Sequence, residues 1–401
     1  MFYLFFFYRD SILCLDLDRI AAMNFVYTQT PLVQSRPYAS KTGRTIHLKL
    51  ENTQPSGSFK SRGLGNLVYH HHEQQQQQLD QAAKVAGEAP ALPSRLHFLL
   101  SSGGNAGLAA AVAATTLGHR CTVVVPKLTK PRMRELIAQT GAEVVVHGDF
   151  WGDADRYLRE TYLSGEDSAA TTTADENKEK RIYCHPFDDQ LVWDGYTSII
   201  DELGQQLADH AYTQAFQTSP LGVAIEKPSA PVWPDAIICA VGGGGLYTGL
   251  VQGLLASAAT DDPARPLPIM ITAETDGASK LHQSLHAGHK VTLEAPSTVA
   301  SSLAAFSVSD QAYAYASAAP TGAGAVKTVP VTVSDAEAVS ACTVLLEKHG
   351  LVVEPACGAA LAVLDRLDEV EATLANGKKL QNVVVIVCGG SAYVARDLLV
   401  N

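Results

Sequence analysis

The sequence predicts an α/β protein, and three features carry that prediction. Short apolar runs alternate with helix-compatible runs at the lengths of βαβ units on a parallel sheet. Glycine-bearing turns follow the strand-like runs: PSGSFKSRG after residues 45–52, SSGGNAG after residues 96–100 and GGGG after residues 235–241. The 401 residues are 46% hydrophobic, enough for one large or two medium domains with substantial cores.

The chain opens with MFYLFFFY, which Arg9 and Asp10 stop far short of the ~20 residues that span a bilayer. It lacks the basic start of a signal peptide and the arginines of a mitochondrial presequence. Residues 1–23 therefore read as a non-native or disordered extension, with Met23 as the initiator. Residues 45–52 alternate as a half-buried strand does, and residues 61–69 continue as a helix. Residues 71–93 are polar and glutamine-rich and end in prolines, so a surface insertion is expected there, with the histidines at 70–72 solvated.

Strands follow at 96–100, 121–125 and 142–147, with helices at 108–117 and 132–140. Residues 164–180 read as a disordered acidic loop, 195–210 as a helix and 211–234 as a second insert. A buried strand at 235–241 leads into the glycine run and a helix at 247–258. Strands at 268–273 and 382–388 and helices at 335–349 and 356–367 complete the pattern.

The net charge of −11, with 18% charged residues, argues against nucleic acid and anionic membrane surfaces, which attract basic patches. A small anionic substrate would need local positive potential, which helix N-termini supply. Seven scattered cysteines form no CxxC pair, so zinc is disfavoured and reduced thiols in the cytoplasm are expected.

Chemistry concentrates in the glycine-bearing turns. Lys60 sits between a strand and a helix, flanked by Gly57, serines and Phe59, where an amine can form a Schiff base with a carbonyl cofactor. In GGGGL, four glycines let successive N–H groups converge on one anion ahead of a helix. The spacing does not fit the dinucleotide pattern GxGxxG. Alone, this loop divides between nucleotide, another phosphate and tight packing. SSGGNAG can bind a carboxylate at a helix start, or serve as a plain N-cap. Cys388 alone reads as a packed strand-end cysteine, and Glu274 as a solvated strand-end charge.

Six motifs in order resemble one family: PSGSFKSRG, SSGGNAGLAAA, PFDD, VGGGGL, VEPACGAALA and VVIVCGGS. From about residue 28 onward the chain resembles the pyridoxal-phosphate-dependent serine/threonine dehydratases of fold type II (tryptophan synthase β-like). Within them it resembles the short catabolic L-serine dehydratases. The resemblance implies two lobes, each a largely parallel twisted sheet flanked by helices. Residues 24–60 and 156–401 would form the large cofactor lobe, and 61–155 the small substrate-loop lobe.

It implies Lys60 as the Schiff-base lysine, Phe59 stacked on the cofactor ring, and Gly242, Gly243, Gly244, Gly245 and Leu246 around the phosphate. Cys388 would face the pyridine nitrogen. Ser102, Gly103, Gly104, Asn105 and Ala106 would bind the substrate carboxylate, with Asn105 also on the ring hydroxyl. Gly103 stands where alanine is frequent, which would leave extra room. Ser302, near the ring's other face, stands where alanine is usual. Glu274 and Ala278 match a region that often holds a monovalent cation, here K+.

The implied reaction is β-elimination of L-serine to pyruvate and ammonia, with L-threonine giving 2-oxobutanoate, by a homodimer. Sister reactions are racemisation, threonine synthesis and β-replacement, and a non-catalytic cofactor-binding protein is a further class. Ten residues follow Ser391, too few for a C-terminal regulatory domain, so no isoleucine feedback is expected.

Overall fold

Ten strands form two sheets among the described residues of the computed structural model: 26–86, 95–164, 179–219, 226–228, 230–260, 266–318 and 326–399. The expected N-terminal extension lies outside them, as does most of the expected loop at 164–180.

The elements run β1 (Leu32–Gln34), α1 (Arg36–Thr42), β2 (Thr45–Lys49), α2 (Lys60–Ala86), β3 (Leu96–Ser101), α3 (Asn105–Thr116), β4 (Arg120–Val125) and α4 (Pro131–Gln139). Next come β5 (Glu143–Val146), α5 (Trp151–Leu158), β6 (Lys180–Tyr183), α6 (Gln190–Thr218), β7 (Ala236–Ala240), α7 (Gly245–Thr260), β8 (Ile269–Thr275) and α8 (Lys280–Ala287). The chain ends with α9 (Asp310–Ser317), β9 (Thr328–Val333), α10 (Asp335–His349), α11 (Pro355–Ala362), α12 (Leu367–Ala372), β10 (Asn382–Ile386) and α13 (Ala395–Leu399).

The larger sheet has the order β1-β2-β10-β7-β8-β9, parallel throughout except for the β1–β2 pair. The smaller is fully parallel, β5-β4-β3-β6. Central strands β7 and β8 are buried along their whole length; β7 is apolar throughout, while β8 also buries Thr272, Glu274 and Thr275. Edge strand β9 tolerates Pro330, whose missing N–H would break a central ladder.

Three expectations need correction. The small lobe does not end at residue 155, because β6 pairs with β3 in the smaller sheet. Its sequence, KRIY, is too short and polar to announce a strand. Residues 71–86 of the expected surface insertion are helical and continue α2, since glutamine favours helix. Its histidines are not all solvated, for His72 Nδ1 lies 2.9 Å from His119 Nε2. Likewise α6 absorbs the start of the second expected insert, with no proline to stop it before Pro220.

One buried ionic cluster joins the lysine-bearing turn to α6. The Arg62 guanidinium is fully buried and forks onto Glu51, with Nε–Oε2 and Nη2–Oε1 both at 2.8 Å. It also meets Glu202, with Nη1–Oε1 at 2.6 Å and Nη2–Oε2 at 2.8 Å. Lys49, also fully buried, pairs with Glu202 and donates to Thr30 O at 2.9 Å. Two cations and two carboxylates balance, so no charge is buried alone. Arg62→Met should therefore lower stability by about 3–5 kcal/mol, by leaving two carboxylates underpaired. A denaturant midpoint unchanged from the parent would contradict this role.

Candidate active site

The turn that presents Lys60 is fixed by the end of β10. Strands β2 and β10 are parallel neighbours, so both chains leave the sheet at the same edge. Phe59 N–H donates to Cys388 O at 3.0 Å, and Ser58 bridges Gly389. Lys60 is the first residue of α2, and its Nζ donates to Pro186 O at 2.6 Å. Burial lowers its pKa from 10.5 to about 8, making it a ready nucleophile near neutral pH. The ammonium lies 5.1 Å from the Phe59 ring centroid. That ring also packs on Tyr196, with 5.3 Å between centroids.

Pro186 connects the lysine to the glycine loop, because the next residue, Phe187, presses on it. A Cβ at Gly243 would fall 2.3 Å from the Phe187 ring, and one at Gly245 2.6 Å from Phe187 O. A Cβ at Gly242 would lie 2.7 Å from Ser302 O. Gly244 adopts φ +92°, which glycine accepts without strain. The N–H groups of Gly242, Gly243 and Gly244 find no acceptor among the described residues. Gly245 and Leu246 open α7, where helical N–H groups are free by construction. The loop is thus a row of open donors at a helix N-terminus, suited to a phosphate.

Cys388 lies two residues beyond the end of β10, its Sγ 3.5 Å from Ile386 O. The Cys357 thiol beside it and burial push its pKa well above the usual range, so it presents a neutral thiol. His185 is neutral too, since burial lowers its pKa to about 4, with Lys60 adding to the shift. Its Nδ1 accepts from Asp188 N–H at 2.8 Å.

The substrate-loop residues reach this site from the smaller sheet. Asn105 opens α3, its Nδ2 donating to Glu354 Oε1 at 2.9 Å and its Oδ1 accepting from Ser391 N–H at 3.1 Å. Ser102 Oγ accepts from Gly104 N–H at 3.3 Å, and Ala106 is buried in the first turn. Gly103 does not leave extra room: a Cβ there would meet Thr129 Oγ1 at 2.0 Å. The space is filled by the side chain of a distant turn, which composition could not reveal.

The K+ expectation at Glu274 and Ala278 is also corrected. Glu274 is not solvated but buried, and its oxygens accept from Lys280 Nζ, Leu281 N–H and His282 N–H. Ala278 O likewise accepts from Lys280 Nζ at 2.9 Å. The chain's own ammonium stands where the free cation was expected.

Sequence reasoning missed Glu354, Ser391, Thr129, His185 and Lys280 as members of the site. Glu354 and Ser391 carried a signal, since they lie in the motifs VEPACGAALA and VVIVCGGS. Burial raises the pKa of the Glu354 carboxyl, and hydrogen bonds from Ser302 and Asn105 oppose the shift.

A nucleophilic amine, a row of open amides and a neutral thiol fit pyridoxal phosphate, which Lys60 would hold through its aldehyde and residues 242–246 through its phosphate, with Cys388 available to the ring nitrogen.

Comparison with known proteins agrees. The family described as pyridoxal-phosphate dependent enzyme matches residues 23–389. The chain is 34% identical to an L-serine dehydratase of Saccharomyces cerevisiae (strain RM11-1a) over 93% of this chain and 96% of that one. It is equally 34% identical to the L-serine dehydratase/L-threonine deaminase of Bos taurus, covering 91% and 92%. Among solved structures it is similar to a fungal L-serine ammonia-lyase from Rhizomucor miehei, with TM-score 0.69, 28% identity and coverage of 93% and 97%. Maize serine racemase, at TM-score 0.67 and 22% identity, shares the fold. With the motifs in register and the matching lysine, glycine loop and strand-end cysteine assembled at one edge, this chain belongs to the pyridoxal-phosphate dependent enzymes.

Proposed function

We propose that the protein is an L-serine dehydratase that converts L-serine to pyruvate and ammonia, and L-threonine to 2-oxobutanoate and ammonia. The observation that carries this reading is the pairing of a low-pKa Lys60 with a neutral Cys388 thiol at one strand edge, in a chain whose curated relatives are serine dehydratases. Bound pyridoxal phosphate supplies an electron sink for the bond broken at Cα.

The chain's own groups do the rest. The α3 N-terminus with Ser102 and Asn105 offers donors for the substrate carboxylate. Two of the hydrogen-bonding positions of Asn105 are committed to Glu354 and Ser391, which orients the amide and leaves one Nδ2 hydrogen free. Once its amine is free, Lys60 can accept the Cα proton, and Pro186 O is placed to hold the resulting ammonium. Cys388 carries no charge, so it would not force a proton onto the nitrogen of a ring held against it. A weaker sink favours loss of the β-hydroxyl over transamination.

We extend the proposal to a cytoplasmic homodimer acting on a free amino acid. No helix among the described residues is long and apolar enough to cross a membrane. The six described cysteines are free and buried, which supports a reducing compartment.

Three outcomes are expected. Lys60→Ala should remove the cofactor's visible absorption and reduce pyruvate release from L-serine by at least about 100-fold. Retention of both would refute the assignment of Lys60. The rate at which the apoprotein captures pyridoxal phosphate should rise with pH through about 8, because the protonated amine below that pH is not nucleophilic. A stopped-flow profile rising only near 10.5 would contradict the burial of this amine. Gly103→Ala should lower kcat/KM for L-serine roughly tenfold by displacing Thr129, and Thr129→Ala should restore part of the loss in the double variant. Equal kcat/KM values in the single and double variants would show that this contact does not shape the loop.

A further inference from the structure

The Lys280 ammonium is fully buried within four oxygens. Ala278 O and Leu303 O lie at 2.9 Å, and Val241 O and Glu274 Oε1 at 3.1 Å. These oxygens come from four segments: the exit of β7, the end of β8, the turn after it, and the short turn Ser301–Leu303. Three backbone carbonyls and one carboxylate form a donor set for a hard monovalent cation. An ammonium is a cation of similar size and charge to K+, and here it is covalently attached.

The remaining contacts close the site to a second cation. Both Glu274 oxygens are already used, Oε1 by Lys280 and Leu281 N–H, Oε2 by His282 N–H at 2.8 Å. Glu274 and Lys280 cancel in charge, so a further cation would meet repulsion without a counter-charge. The position is tied to the cofactor site as well. Val241 immediately precedes the glycine loop, and Ser302, beside Leu303, presses its carbonyl toward Gly242. The ammonium therefore fastens the segments beneath residues 242–245.

We propose that Lys280 is a tethered cation that replaces a bound monovalent metal ion beneath the glycine loop, so that cofactor affinity and stability of this protein are independent of K+. Lys280 is a positioning residue, acting through the Val241 and Leu303 carbonyls. For cofactor affinity the proposal rests on the reading of residues 242–246 as the phosphate site.

The test compares wild type with Lys280→Ala in tetramethylammonium buffer, titrated with KCl, NH4Cl or LiCl at constant ionic strength. Tm and the Kd for pyridoxal phosphate are read. Wild type should show no K+-specific change in either. Lys280→Ala should bind the cofactor roughly tenfold more weakly and melt lower. K+ or NH4+ should restore both properties, and Li+ should not.

A saturable K+-specific rise in Tm or affinity in wild type would overturn the proposal. So would a Lys280→Ala protein that matches wild type, or one whose loss no cation restores, which would assign Lys280 to packing alone. If Lys280→Ala does not fold, Lys280→Gln replaces it, and the wild-type titration decides unaided. If wild type binds no pyridoxal phosphate, the reading of the glycine loop fails, while the Tm titration still decides the role of Lys280.

Discussion

The hydrogen bond from Phe59 N–H to Cys388 O is the contact on which the site's geometry depends. It closes two chain segments that leave the sheet side by side, because Lys49 and Ile386 are in register on parallel strands. Gly390 N–H adds a second bond to Gly57 O at 2.9 Å. The closeness requires glycine at both residues after the cysteine. Gly389 has φ +87° with Gly57 O 2.3 Å from where its Cβ would be, and Gly390 has φ +124° against Glu354. In this way the amine of Lys60 and the thiol of Cys388 hold a fixed relation before any ligand arrives, as preorganised catalysis demands.

The site's charges follow a consistent pattern. The groups around the lysine-bearing turn are neutral or easily made so: Lys60 with a lowered pKa, His185 and Cys388 uncharged. Groups that serve as scaffold keep full charges in closed pairs, as Arg62 does with Glu51 and Glu202, and Lys280 with Glu274. Burying a charge without a partner would cost more than the fold could spare, so the two strategies stay segregated. Glu354 lies between them, joining Asn105 of the small lobe to the VEPACG segment of the large one.

Most of the sheet was legible because parallel strands buried on both faces must be apolar along their length. The glycine loops were legible because no other residue permits such close approach. What escaped were features that depend on partners distant in sequence. KRIY becomes a strand only because β3 offers an edge. The glutamine run continues a helix because α2 was already nucleated and packed by Leu64, Leu67 and Val68. Gly103 suggested space that Thr129 fills, and Glu274 suggested a metal that Lys280 replaces. In both cases a residue's type indicated the need for a neighbour, and only three dimensions identified it.

The central claim is that the site drives β-elimination rather than another outcome of Cα–H cleavage. Its most direct test is to incubate purified, pyridoxal-phosphate-loaded protein with L-serine and quantify pyruvate, ammonia and D-serine together. The account predicts pyruvate and ammonia in equal amounts, with no accumulation of D-serine. D-serine formed without pyruvate would contradict it and assign the same lysine and thiol to racemisation.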